Sequence, residues 1–395
     1  MNRKVLLVEP NYKNKYPPMG LMKLATYYRM VGDDVRFYKG DMRSLAVDLI
    51  CDDLINHLSI ILPEIFWKNY YPTLFEFIKV GKYAILENEP IFEDELVLDA
   101  VKEYRKKYKD KEYFTKPSFD KVGITTLFTF YWDITVDTIN FAKQLCKNQD
   151  DVMVGGIMSS LLPKEVEEAT GIKPFIGLLN TPGDIDSDNE LIIDELPLDY
   201  SILEEIDYVY PANNAYFAYM TRGCVNKCKF CAVPKLEPQY CDYINLKKRI
   251  EFTDKRFGAR KDLLLLDNNV LASKCYDQII DEIKECGFGT GATYSPPNEY
   301  EITINNLKDS YNDRAYIRKA ISIYKEIMEK LKDGTEKTEL YLKLEEAHCL
   351  NYYTASKEDI LDLDEYVCPL YEKTHKPSKR KRIVDFNQGI DSRLI

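Results

Sequence analysis

Three cysteines fall within eight residues, in the run Thr221-Arg222-Gly223-Cys224-Val225-Asn226-Lys227-Cys228-Lys229-Phe230-Cys231, and a spacing that tight wraps one inorganic centre. The apolar segment Ala215–Met220 before them reads as a β-strand, so the thiols emerge from a strand end into a loop. Soft sulfur donors select zinc, copper(I) or iron–sulfur clusters. A cubane cluster ordinarily takes four cysteines. Three leave one iron open, much as catalytic zinc sites keep one position free. The competing arrangement is a zinc knuckle with Cys241 as fourth ligand. Zinc sites more often pair two short hooks, however, and no second hook follows.

The other seven cysteines, Cys51, Cys146, Cys241, Cys275, Cys286, Cys349 and Cys368, are scattered and read as core or surface thiols. The opening residues carry too short an apolar run for a secretion signal, so a disulfide framework is not expected. No stretch reaches the roughly 18–20 apolar residues of a membrane helix. A reducing, cytoplasmic location follows, with no membrane partner. The net charge of −11 gives no global attraction to a polyanion, so nucleic acid is not an expected partner. The one basic run, Lys376 to Arg382, reads as a solvated loop before a strand, with a phosphate or tRNA contact as the alternative. His57, His348 and His375 are the three histidines of the chain and do not cluster. No Ser-His-Asp elbow, Walker loop or paired-carboxylate signature stands out, and no catalytic side chain can be named.

Pattern along the chain predicts an α/β protein of two parts. Lys4–Val8 and Asp34–Tyr38 read as buried parallel strands flanking a helix from Leu21 to Met30. Residues 42–118, rich in aromatic, leucine and acidic residues, read as a helical insertion. Lys121–Thr126, a helix across Thr135–Cys146, and Asp151–Val154 resume the sheet, ending in Gly155-Gly156-Ile157-Met158-Ser159. This is the pattern of a doubly wound, Rossmann-like domain over 1–180. The Pro, Asp and Asn density of 181–214 marks a linker. The second part, 215–395, continues with the strand Asp262–Leu266, the turn Asp267-Asn268-Asn269 and a helix at Tyr276–Glu285. A helical insertion over about 296–382 precedes a final strand, Arg382–Phe386.

The Cys-x3-Cys-x2-Cys spacing, with Phe230 before the last cysteine, resembles the signature of the radical S-adenosylmethionine (SAM) superfamily. The resemblance implies that Cys224, Cys228 and Cys231 ligate a 4Fe–4S cluster and that SAM chelates the open iron. It also implies that Phe230 lies near the adenine, and that a 5′-deoxyadenosyl radical abstracts hydrogen from a substrate the sequence does not name. Asp267 and Asn268 take the place of SAM-contacting residues after the second barrel strand. They depart from the Gly-Gly-Glu form often found there, and a helix-capping turn is the alternative. The strand running into Asn387-Gln388-Gly389-Ile390-Asp391 resembles a third barrel strand with polar residues aimed at the substrate, and a capped turn is the alternative.

The amino-terminal half resembles the cobalamin-binding-type domain that precedes many such barrels. That admits cobalamin as a further cofactor, with Gly155, Gly156 and Ser159 beside its nucleotide tail. The histidine loop that would ligate cobalt is absent, and a tight strand–helix turn is the other reading of those residues. The resemblance further implies an electron donor such as flavodoxin or ferredoxin. Only three barrel strands can be counted, so a partial (β/α) barrel is expected, completed by a second chain or belonging to a fragment. The alternative function is a non-catalytic iron–sulfur or zinc-binding assembly module.

Overall fold

A computed structural model describes residues 2–332 and 334–386. Four short apolar segments form one parallel sheet: β1 (Lys4–Val8), β2 (Asp34–Tyr38), β3 (Lys121–Thr126) and β4 (Val152–Gly156), in the order β2-β1-β3-β4. Alternate residues of β1 face opposite ways, as a strand requires. Val5 and Leu7 join a core with Leu21 and Leu24 of the helix Met19–Met30. Leu6 and Val8 join another core with Met42, Ile139 and Val166 from helices beneath. Helices therefore cover both faces, and the order places a topological switch between β1 and β3: a doubly wound sheet.

Residues 42–118 are a helical insertion with its own core, built on Leu54, Trp67, Phe77 and Val101. Its first long helix, Met42–Ile61, starts where Asp41 accepts a hydrogen bond from the Arg43 N–H at 3.1 Å, which satisfies one free amide of the first turn.

The second part has a three-stranded parallel sheet, β5 (Ala215–Ala218), β6 (Asp262–Leu265) and β9 (Val384–Phe386), in that order. Helices at Lys247–Phe257 and Tyr276–Ile283 follow its first two strands. Between β6 and β9 the chain forms a two-stranded antiparallel neck, β7 (Thr293–Tyr294) with β8 (Arg380–Lys381). Above that neck stand the helices of residues 299–374, around Leu307, Tyr324, Leu340 and Ile360. The α/β architecture is that expected, with three parallel strands in the second part. The expected continuation Asn387–Arg393 lies outside the described residues.

The 181–214 stretch is not a free tether. Ile193, Leu198, Tyr200 and Ile202 are buried in the same core as Val5 and Leu7 of β1, Phe217 of β5 and Leu264 of β6. The Pro, Asp and Asn residues make its turns, while the apolar residues between them fill the space where the two sheets meet. Among the described residues no helix is long and apolar enough to cross a membrane.

Candidate metal centre

β5 carries the chain toward the cysteines, and the end of β6 holds it there. The buried carboxylate of Asp267 accepts from the Met220 N–H at 3.0 Å, the Thr221 N–H, and the Thr221 hydroxyl at 2.6 Å. Burial raises its carboxyl above the ordinary range, while those same hydrogen bonds oppose the shift. Asp267 thus points at the backbone of the neighbouring strand end and fixes where the loop begins.

Arg222 follows. Its backbone pairs with Cys241, N–H to carbonyl in both directions at 3.1 and 3.0 Å. Its guanidinium lies 4.0 Å from the Tyr219 ring centroid and bridges Asp194 at 2.8 Å and Glu237 at 2.5 Å. Asp194 also receives Lys23 Nζ at 2.7 Å. Burial works against the Asp194 carboxylate, but the Lys23 and Arg222 charges outweigh it and its carboxyl titrates below its usual value. Gly223 comes next, at φ +65°, with its N–H donating to Glu237 at 2.8 Å. A Cβ there would lie 2.4 Å from the Gln239 carbonyl oxygen, so only glycine fits the turn.

Beyond this base the loop opens. Cys224 is half-buried and its sulfur accepts from the Asn226 N–H at 3.4 Å and from Asn269 Nδ2 at 3.8 Å. Cys228 is exposed and Cys231 half-buried, with the Cys231 N–H bound to the Cys228 carbonyl at 3.1 Å. Phe230 is 79% exposed. The three cysteines share one loop, yet among the described residues no three His, Cys, Asp or Glu side chains gather to hold a metal ion. Cys241, the alternative fourth thiol, is exposed and donates to the Tyr243 carbonyl at 3.4 Å. Asn268 donates its amide to Glu237 at 2.8 Å.

The glycine candidates of the first sheet lie elsewhere in the fold. Gly156 ends β4 at φ +110°, and a Cβ there would stand 2.3 Å from the Thr126 carbonyl oxygen. Ser159 is fully buried; it exchanges hydrogen bonds with the Thr126 hydroxyl and donates its own hydroxyl to the Gly156 carbonyl. Both belong to a tight strand–helix turn. Gly155 alone has open space where a side chain would be.

Sequence reasoning did not identify Glu237, Asp194 or Arg222. No motif or periodicity marks them, because each acts on residues distant in the chain.

Among solved structures, the chain is similar to the radical S-adenosylmethionine methyltransferase TsrM from Kitasatospora setae. One such structure, with tryptophan substrate and the SAM analogue aza-SAM bound, matches at 14% identity and a TM-score of 0.35, covering 80% of this chain and 53% of that one. A second, of TsrM with cobalamin and a 4Fe–4S cluster bound, matches at 15% identity and a TM-score of 0.34, covering 80% and 55%. The chain spans about half the length of these proteins. No protein-family model matches it, nor does any curated protein.

Proposed function

We propose that this chain is an iron–sulfur protein of the radical SAM type, with Cys224, Cys228 and Cys231 as ligands to a 4Fe–4S centre. The observation that carries the reading is where the three thiols stand. They leave the carboxyl end of β5, the first strand of a parallel sheet, on a loop with a fixed base and an exposed tip, and carboxyl ends of parallel strands are where such folds bind ligands. The donor set suits the group: three soft thiols and one position left for SAM.

Held by these thiols, such a centre would supply one electron for reductive cleavage of the SAM sulfonium bond, releasing methionine and opening the way to hydrogen abstraction from a substrate. The residues of this chain bind and orient. Asp267 fixes the loop's entry, Asn269 contacts the Cys224 sulfur, and Phe230 is free to lie against an adenine ring. An electron donor such as flavodoxin or ferredoxin is the expected partner. For a corrinoid the fit is narrower, since Gly156 and Ser159 are engaged internally and only Gly155 of the three candidates faces open space.

The second reading is a non-catalytic assembly module, for which the edge of the sheet would serve as the side that meets another chain. Among the described residues β9 pairs only with β6, and Ile383 and Phe386 remain exposed, an edge that another chain could extend. Anaerobic loading with ferrous iron and sulfide tests the centre. Stoichiometric 4Fe–4S incorporation, lost in Cys224→Ala, Cys228→Ala and Cys231→Ala, is expected; zinc retained in preference to iron would refute it.

A further inference from the structure

The cysteine loop is closed at its base by a carboxylate beyond the signature. Glu237 accepts from donors on separate pieces of chain: the Gly223 N–H at 2.8 Å and Arg222 Nη1 at 2.5 Å before the cysteines, and Asn268 Nδ2 at 2.8 Å after β6. Its side chain is 11% exposed. Through Arg222 the contact continues to Asp194 at 2.8 Å and on to Lys23 at 2.7 Å, in the helix beside β1. The backbone pair of Arg222 with Cys241 closes the same base. All of this is buried or half-buried except Cys241, whereas Val225 to Phe230 are exposed.

Hydrogen bonds from a charged guanidinium and an amide to one shielded carboxylate are directional and strong, and breaking one partner of such a set strands the others. Cys224 follows immediately upon Gly223, so whatever fixes the Gly223 N–H fixes the backbone from which the first thiol departs.

We propose that Glu237 is the positioning residue of the cysteine centre: it holds Cys224 in place before an ion arrives, leaving Cys228 and Cys231 to close from the tip. This rests on the reading of the three cysteines as ligands. Groups that orient metal ligands in this way carry about 10–100-fold in metal affinity.

Glu237→Gln keeps the size and removes the charge; Glu237→Asp keeps the charge on a shorter arm. In the metal-free protein, hydrogen exchange read by mass spectrometry is expected to lose protection across residues 222–241 in E237Q and to stay unchanged in β1–β4. After anaerobic loading with ferrous iron and sulfide, E237Q is expected to yield iron to a chelator roughly ten-fold faster than the native chain. The electron paramagnetic resonance signal of its reduced form should broaden, with E237D in between. If E237Q does not fold, the same comparison is made on E237D. Unchanged iron release and an unchanged signal would overturn the proposal, whatever the exchange shows. Failure of the native chain to take up iron, with the exchange difference intact, would refute the ligand reading instead.

Discussion

Gly156 and Lys23 show how single residues carry this fold. Gly156 turns the end of β4 in a left-handed conformation against the backbone of β3. Gly156→Ala should cost roughly 1–3 kcal/mol, visible as a lower denaturant midpoint with an unchanged slope; an unchanged midpoint would show that the turn relaxes. Lys23 is buried, and burial lowers its pKa to about 8, against the opposing pull of Asp194. Between that value and its ordinary 10.5 the unfolded chain binds more protons than the folded one. Stability should therefore rise with pH across this window, by about 3 kcal/mol at most. Lys23→Met should lose that rise, so that subtracting its pH–stability curve from that of the native chain isolates it.

At the scale of elements, β1, β2 and β3 are legible because each is a short run bounded by turn or helix signals. The helix Met19–Met30 and the long helix Asp313–Lys330 are legible from their 3.6-residue spacing. The neck of β7 and β8 is not, since two-residue strands offer no periodicity and their pairing joins residues far apart in sequence. The packing of segment 181–214 is hidden for a different reason: turn residues dominate its composition, whereas Ile193, Leu198 and Ile202 decide its burial. The three cysteines were legible from spacing; Glu237 and Asp194, which fix their loop, were not.

The two helical insertions also meet, through Tyr71 stacked on Tyr353 at 4.6 Å and Phe66 on His348 at 4.4 Å between ring centroids. A double-mutant cycle on Tyr71→Phe and Tyr353→Ala, with Phe retaining the ring but losing the hydroxyl bond to Asp48, should leave most of the stacking in the Tyr353→Ala term. The Tyr71→Ala/Tyr353→Ala cycle should give a coupling of about 0.5–1.5 kcal/mol. Zero coupling would mean that the Tyr71–Tyr353 pair does not tie the insertions together.

At the scale of the whole molecule, one core joins both sheets. Val5 and Leu7, Ile193 and Tyr200, and Phe217 and Leu264 belong to it together. Residues 1–180 expressed alone would uncover that face, so the fragment should aggregate or melt well below the full chain, which should unfold with one main transition. A monodisperse 1–180 fragment as stable as the full chain would contradict a shared core. The same core, with the Lys23–Asp194–Arg222 ion pairs, makes the cysteine loop part of a scaffold that includes the first sheet.

The most direct test is formation of 5′-deoxyadenosine from SAM by the iron-loaded, chemically reduced chain, assayed anaerobically beside Cys228→Ala. The reading of the loop as a radical SAM centre predicts 5′-deoxyadenosine from the native chain and none from the variant. A fully loaded native chain that leaves SAM intact would contradict it and leave the assembly module as the reading of this loop.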